Sequence, residues 1–145
     1  MTERQKRTKE RLNRVYYMSR QLEADERMLE VLGQRLAPGA AKYESDGTES
    51  HDPDAARARH EDNLLDYSIQ VAKVEKLRGA VIAATVETRE AIERLSDCEE
   101  KSIAIDRYIN RLRWEDISKV EHISIAKVYR LNSSALNKLA DILKI

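Results

Sequence analysis

The chain has little of what secreted, membrane or catalytic proteins depend on. A single cysteine, Cys98, excludes a disulfide within its 145 residues and favours a reducing compartment. No apolar run approaches the roughly 18 residues that a membrane-spanning helix needs. The basic N-terminal stretch, Met1 to Arg14, lacks the apolar core of a secretory signal. These absences predict a soluble, cytoplasmic protein that does not bind a membrane.

The residues of catalytic sites are also scarce or badly placed. The sequence has no glycine-rich phosphate loop, no nucleophile elbow and no His–Glu pair at metal-binding spacing. Its histidines, His51, His60 and His122, have no clear partners. Glu115 and Asp116 are adjacent on a predicted helix and point in different directions, so they make a poor acid–base pair. We therefore expect no enzyme, no cofactor and no metal site.

What is present is the composition of an all-α protein. Charged residues make up 36% of the chain, the formal net charge is zero, and there are only four glycines and two prolines. Two long helices are predicted over residues 2–36 and 54–94. The acidic segment 37–53 between them carries turn signals and is expected to be mobile. Residues 1–94 should form one domain, a long antiparallel, coiled-coil-like helical hairpin.

The apolar faces of these two helices are unequal. Apolar residues of the first helix recur close to every 3.5 positions, with an interruption at Asp25. On the second helix, Leu65 and Val86 widen a stripe that already contains Tyr67 and Val74. Since so wide a face needs more than one neighbour, the sequence favours self-association, for example as a four-helix bundle. The alternative is that the C-terminal part of the chain covers the surplus face.

Basic residues crowd the start of the first helix. One interpretation is a frayed, solvated helix end, as is common at chain termini. The other is a second arm that contacts DNA phosphates. Six basic residues stand against Glu3 and Glu10: Arg4, Lys6, Arg7, Lys9, Arg11 and Arg14.

Residues 95–145 have the pattern of a helix-turn-helix domain. A first helix should begin at an N-cap, Ser96 or Asp97, and run to about Leu112. A supporting helix is predicted from Trp114 to Val120, with Trp114 in the core, and a turn at residues 121–123. A recognition helix then starts at its N-cap Ser124. Its buried stripe is predicted to be Val128, Leu131, Ala135, Leu136 and Leu139, and its outer face carries no carboxylate from Ser124 to Leu139.

The order of motifs in this domain carries a family resemblance. The matching motifs are Leu95-Ser96, Glu99-Glu100, Ile103 to Tyr108, Trp114-Glu115-Asp116-Ile117, Ile123-Ser124, Val128-Tyr129-Arg130, and Ala135-Leu136 with Leu139. This run resembles region 4 of the sigma-70 family and, more closely, the small phage transcriptional regulators of the ArpU/RinA type. The resemblance covers about a third of the chain. It implies recognition of double-stranded DNA and a contact with RNA polymerase. Because the chain lacks the aromatic-rich region of a full sigma factor, it is not expected to melt DNA.

One turn departs from the family pattern. The family usually has Leu-Gly before Ile-Ser, whereas this chain has Glu121-His122. Glycine is favoured there because such turns often need a positive φ, and histidine is a costlier occupant. Since Glu121 replaces an apolar core residue, Val120 or Ile123 is expected to fill that space.

The predicted DNA contacts follow from position on the recognition helix. Side chains near its start usually meet base edges, and their neighbours reach phosphates. The predicted base contacts are Ile125, Ala126, Lys127 and Arg130. The predicted phosphate contacts are Arg113, Ser124, Tyr129, Ser133 and Lys138.

Two other functions remain open at this point. Small phage packaging or scaffold proteins also combine a helix-turn-helix with long oligomerising helices, although usually with the DNA-binding part first. Alternatively, the C-terminal part could bind polymerase or another regulator without reading DNA sequence. The single cysteine is expected to be a small filler residue, since nearby acids disfavour a reactive thiolate.

Overall fold

The computed structural model describes residues 1–37 and 52–145. Over these ranges the chain is all-helical, as predicted, and contains no strand. A π-helical turn at Ile105–Ile109 follows the third α-helix. The α-helices are α1 Glu3–Arg35, α2 Pro53–Glu93, α3 Cys98–Ala104, α4 Trp114–Glu121 and α5 Ile125–Ile142.

Two predictions fall wholly or mostly outside the described residues. The prediction of a mobile segment at 37–53 concerns mainly residues 38–51, and His51 is one of these.

None of the described helices is long and apolar enough to cross a membrane. Within the same two ranges, no three potential metal-ligating side chains lie together.

The contacts divide the chain into two compact units. The terminal unit contains residues 1–17 and 81–145, and the hairpin unit contains residues 18–80. The sequence placed a boundary at 94/95 instead. The division differs because Leu12 of α1 and Ile92 of α2 belong to the same buried cluster as Leu136 of α5.

The core of the terminal unit forms around α5. Leu136 and Leu139 are fully buried there, and Leu12 is 1% exposed. Beside them the Tyr108 hydroxyl donates a 2.7 Å hydrogen bond to Asn132 Oδ1. Burial raises the pKa of Tyr108 to about 12, so the hydroxyl keeps its proton and stays a donor. The predicted buried stripe of α5 is thus confirmed in all five positions.

The start of α1 is capped and packed instead of frayed, while five of its six basic side chains are exposed to solvent as the first interpretation expected. Thr2 Oγ1 accepts from the Gln5 amide at 3.2 Å, and Gln5 Oε1 accepts from the Thr2 amide at 2.9 Å. This reciprocal pair is a capping box. Gln5 Nε2 also donates to the Ser133 carbonyl at 3.2 Å, and Arg4 bonds Asp141 Oδ1 at 2.5 Å.

The hairpin unit is an antiparallel helix pair. Gly33 of α1 lies beside the ring of Tyr67, while Asp25 lies beside Lys73, so partners run in opposite directions along the two helices. The interruption at Asp25 is real, because this residue is only 6% exposed at a core position. Its Oδ1 accepts from Gln21 Nε2 at 3.1 Å, and its carbonyl accepts from Gln70 Nε2 at 2.8 Å.

Two local predictions need correction. The helix that Asp97 caps does not reach Leu112, because it changes to the π-helical turn after Ala104 and ends at Ile109. Arg111 follows with a positive φ of 59°. Cys98 is exposed and is not a filler residue, since it lies at the first position of α3 on the outer side.

The packing of α1 onto the C-terminal helices can be tested at Leu12. Leu12→Ala should lower the free energy of unfolding by about 2–5 kcal/mol, because it removes a fully buried side chain and leaves a cavity. The control is Val120→Ala, a truncation of an apolar side chain of α4 that is 58% exposed, which should change it by less than about 0.5 kcal/mol. Denaturant unfolding followed by circular dichroism measures both. Equal effects of the two variants would contradict the packing described above.

Candidate nucleic-acid interface

The turn between α4 and α5 lies where the sequence predicted it, and histidine takes the position at which the family usually has glycine. His122 caps α4 in the left-handed conformation, with φ 55° and ψ 41°. Ser118 Oγ donates to the Ile123 carbonyl at 2.6 Å and holds the turn closed. Ser124 then caps α5, since its Oγ accepts from the Lys127 amide at 3.2 Å. These bonds fix the start of α5 relative to α4.

The space beside Glu121 is filled by one of the two predicted residues. Ile123 packs on the small cluster around Ile117 and Val128, whereas Val120 is 58% exposed. Glu121 itself is accommodated by polar partners.

Those partners form a small polar group behind the turn. Ser102 Oγ donates to Glu121 Oε1 at 2.5 Å. Asp106 lies against the same carboxylate, and its pKa is raised to about 6, first by burial and then by the hydrogen bond with Glu121 and the charge of Glu121. Below about pH 6 a proton on Asp106 therefore relieves repulsion between the two neighbouring carboxyl groups.

The outer side of α5 presents a strip of four exposed side chains. Ala126, Arg130, Ser133 and Asn137 follow at intervals of four, three and four residues, so they lie on one face. None of the four is acidic. We call these residues the outer strip. The opposite side of the helix is fully buried, so the direction in which the outer strip points is fixed.

One flank of the outer strip lies against the start of α3. Lys127 Nζ is 3.3 Å from Glu99 Oε2, and Lys138 Nζ is 2.8 Å from Glu100 Oε2. The Glu100 side chain is only 4% exposed and also accepts from Ser134 Oγ at 2.6 Å. The hydrogen bond to Glu100 raises the pKa of Lys138. Lys138, a predicted phosphate contact, is thus the counterion of a buried carboxylate.

The other flank is aromatic. The rings of Tyr129 and Trp114 meet edge to face, with centroids 5.4 Å apart. Arg107 stacks its guanidinium over Trp114 at 4.3 Å and donates to the Leu112 carbonyl at 3.0 Å. Trp114 packs against the small cluster and joins α4 to the preceding turn, but it is only partly buried and does not lie in the core as predicted. Ile125, the first residue of α5, is 39% exposed.

The structure therefore separates the nine predicted contacts into groups. Three lie on the outer strip, and the others lie on its flanks or at the helix start. Arg113 is exposed at the N-cap of α4 and pairs with Asp116 at 3.3 Å. The three on the strip are Ala126, Arg130 and Ser133; the remaining six are Arg113, Ser124, Ile125, Lys127, Tyr129 and Lys138.

Two surface residues were missed by sequence reasoning. Asn137 lies on the outer strip, and its spacing of seven from Arg130 could have indicated this. Arg107 reaches the aromatic flank through its stack on Trp114. No sequence signal identified Arg107, because its position depends on the π-helical turn at Ile105–Ile109.

The comparisons with known proteins give no relative for this arrangement. No family model, curated protein or solved structure matches the chain.

The carboxyl pair behind the turn predicts a pH effect on stability. Between about pH 4 and pH 6 the folded chain holds the Asp106 proton that the unfolded chain has released, so the contribution of Asp106 to the free energy of unfolding falls as pH rises. Asp106→Asn should abolish this fall, because an amide can donate to Glu121 at every pH. At pH 7 the variant should be more stable by up to about 1 kcal/mol, since solvent screens this partly buried group.

Denaturant unfolding at pH 5 and pH 7 measures the effect. Asp62→Asn, the same change at an exposed position of α2, is the matched control and should leave the pH dependence unaltered. An Asp106→Asn variant with the same pH dependence as the original chain would contradict this account of the pair.

Proposed function

We propose that the chain is a phage-type transcriptional regulator that reads double-stranded DNA with α5. The observation that carries this proposal is the outer strip. Arg130 and Asn137 project from one face without an acid among their strip neighbours, and the helix behind them is held by a buried stripe. A single exposed helix of this kind fits the major groove of B-form DNA.

The chemistry of the outer strip suits base edges. An arginine such as Arg130 can donate two hydrogen bonds to a guanine, and an amide such as Asn137 can pair with an adenine. Ala126, with Ile125 beside it, offers the apolar contact that a thymine methyl group needs. Ser133 can bond either a base or a phosphate.

Phosphate contacts are assigned to the two flanks. Tyr129 and Arg107 present a hydroxyl and a guanidinium on the aromatic flank, and Ser124 and Arg113 lie at the starts of α5 and α4. Such contacts set the position of a recognition helix on the duplex without reading sequence.

Lys127 reaches a phosphate by exchanging partners. In the free protein its ammonium pairs with Glu99 at 3.3 Å; the Glu99 side chain is 60% exposed and the Lys127 side chain 36%. A phosphate placed beside α5 would compete with Glu99 for the same ammonium. The negative charge of Glu99 would therefore oppose the approach of any DNA phosphate and weaken binding to unrelated sequences. Specificity would then come from the outer strip.

Self-association and a polymerase contact complete the proposal. Dimeric helix-turn-helix proteins bind two half-sites, so a second copy would double the base contacts. The exposed apolar residues of α2, including Leu65 and Ile69, support such an association. A contact with RNA polymerase follows from the sequence resemblance to sigma region 4.

The proposal is tested by selecting bound fragments from a genomic library at about 0.15 M salt. The original chain should recover one or a few discrete sites. Arg130→Ala should weaken binding to a selected site by about tenfold or more, since a bidentate base contact contributes about 1–3 kcal/mol. Glu99→Gln should act in the opposite direction and strengthen binding to unrelated duplexes, because it frees Lys127 for phosphate.

Two matched controls separate these effects from general charge. Lys119→Ala removes a positive charge from an exposed position of α4 outside the outer strip, and Glu61→Gln removes a negative charge in the hairpin unit. Both should leave affinity for the selected site within about twofold. Diffuse recovery that Arg130→Ala does not alter would contradict the proposal and favour a protein-binding role.

A further inference from the structure

Among the residues of the hairpin unit that the structure describes, none covers one regular face of α2. Leu65, Ile69, Ala72, Lys76 and Gly79 follow one another at alternating intervals of four and three residues. That is the 3.5-residue period of a helix seam that packs against another helix. All five residues are exposed, with Leu65 at 60% and Ile69 at 58%. We call them the outer seam.

No contact among residues 1–37 and 52–145 requires a glycine at position 79 of the outer seam. Gly79 lies inside α2, where glycine destabilises a helix relative to alanine. A Cβ atom at Gly79 would meet nothing within 4 Å. At Gly33, by contrast, a Cβ would lie 3.5 Å from the ring of Tyr67. A helix that keeps a glycine facing open space is suited to the close approach of a side chain from outside.

We propose that the outer seam binds the outer seam of a second copy of this chain in antiparallel orientation. The α2 helices of the two copies pair about a two-fold axis at the level of Val74. Two facing residues therefore lie equally far from Val74 in the sequence, one before it and one after it. Ile69 of one copy then sits at Gly79 of the other, and Ala72 faces Lys76. Each contact occurs twice because the interface is isologous.

Charge and size favour this orientation over the parallel one. A parallel, in-register pair would place Lys76 against its own copy and would leave a void between two glycines at position 79. The antiparallel pair instead sets Ile69 opposite Gly79 and Lys76 opposite Ala72, a large side chain against a small one in both cases, which is how facing helices fill their interface. The lysine stem can lie along the partner's Ala72 while its ammonium reaches water.

A second copy is the occupant because the outer seam is complementary to itself. The large residue Ile69 and the notch at Gly79 both belong to the same five positions of one helix. This inference deepens the self-association that forms part of the proposed function. It can be tested without DNA, so its outcome is separate from that of the binding experiments above.

Sedimentation equilibrium of the full chain, without DNA, measures the association. The original chain should dimerise at concentrations of about 10 µM. Gly79→Leu should raise the dimer dissociation constant by about tenfold or more, because it fills the notch that Ile69 of the second copy occupies. Ile69→Lys should raise it similarly by placing a charge in the interface.

Two readouts keep the result independent of misfolding. Gly79→Leu should keep or raise the thermal unfolding temperature of the monomer, because the added side chain faces open space and leucine favours helix. Val120→Lys places the same charge on an exposed valine of α4, outside the outer seam, and should leave the dissociation constant unchanged.

The orientation is tested by disulfide trapping in a Cys98→Ser background. Chains that carry Ile69→Cys are mixed with chains that carry Gly79→Cys and then oxidised. A disulfide should join one kind of chain to the other, since the two Cα atoms would lie within about 7 Å. Efficient cross-linking of Gly79→Cys chains to each other would indicate the parallel arrangement and overturn the proposal. A chain that stays monomeric up to about 100 µM, or a Gly79→Leu variant that associates as tightly as the original, would also overturn it.

Discussion

Burial of one side of α5 is the interaction on which the terminal unit depends. Val128, Ala135, Leu136 and Leu139 are fully buried, and they meet α1, α2, α3 and α4 residues in two adjoining clusters. Because the helix is packed along its whole length, it cannot rotate without exposing this stripe to water. The direction of the outer strip is therefore a consequence of core packing, and any partner of that strip meets a preset surface.

The charges around α5 are arranged by the same packing. Glu100 is held in the core beside Ser134, and Lys138, whose side chain is 45% exposed, is its counterion. Glu99, one residue earlier on α3, stays exposed and pairs with Lys127. The flank is thus nearly neutral in the free protein, while Arg130 stands apart on the outer strip. In the proposed function, specificity comes from the strip, and the flank limits attraction to phosphates of any sequence.

Sequence reasoning succeeded where local rules act alone. The helix period, the N-caps at Asp97 and Ser124, and the left-handed residue at His122 were predictable because each depends on neighbours within a few positions. The packing of α1 on α5 was missed, since the Gln5–Ser133 bond spans distant parts of the chain. The π-helical turn, and with it the position of Arg107, was also missed, because its cause is tertiary.

The most direct test of the account is amide chemical-shift mapping of the full chain as duplex DNA is added at low salt. The account predicts that the largest shifts lie on the outer strip, at Ala126, Arg130, Ser133 and Asn137, with smaller ones at Lys127 and Tyr129. The buried side of α5 should change little, because the helix does not move on binding. Shifts confined to α1 or α2, or no shifts on α5, would contradict the claim that α5 reads DNA.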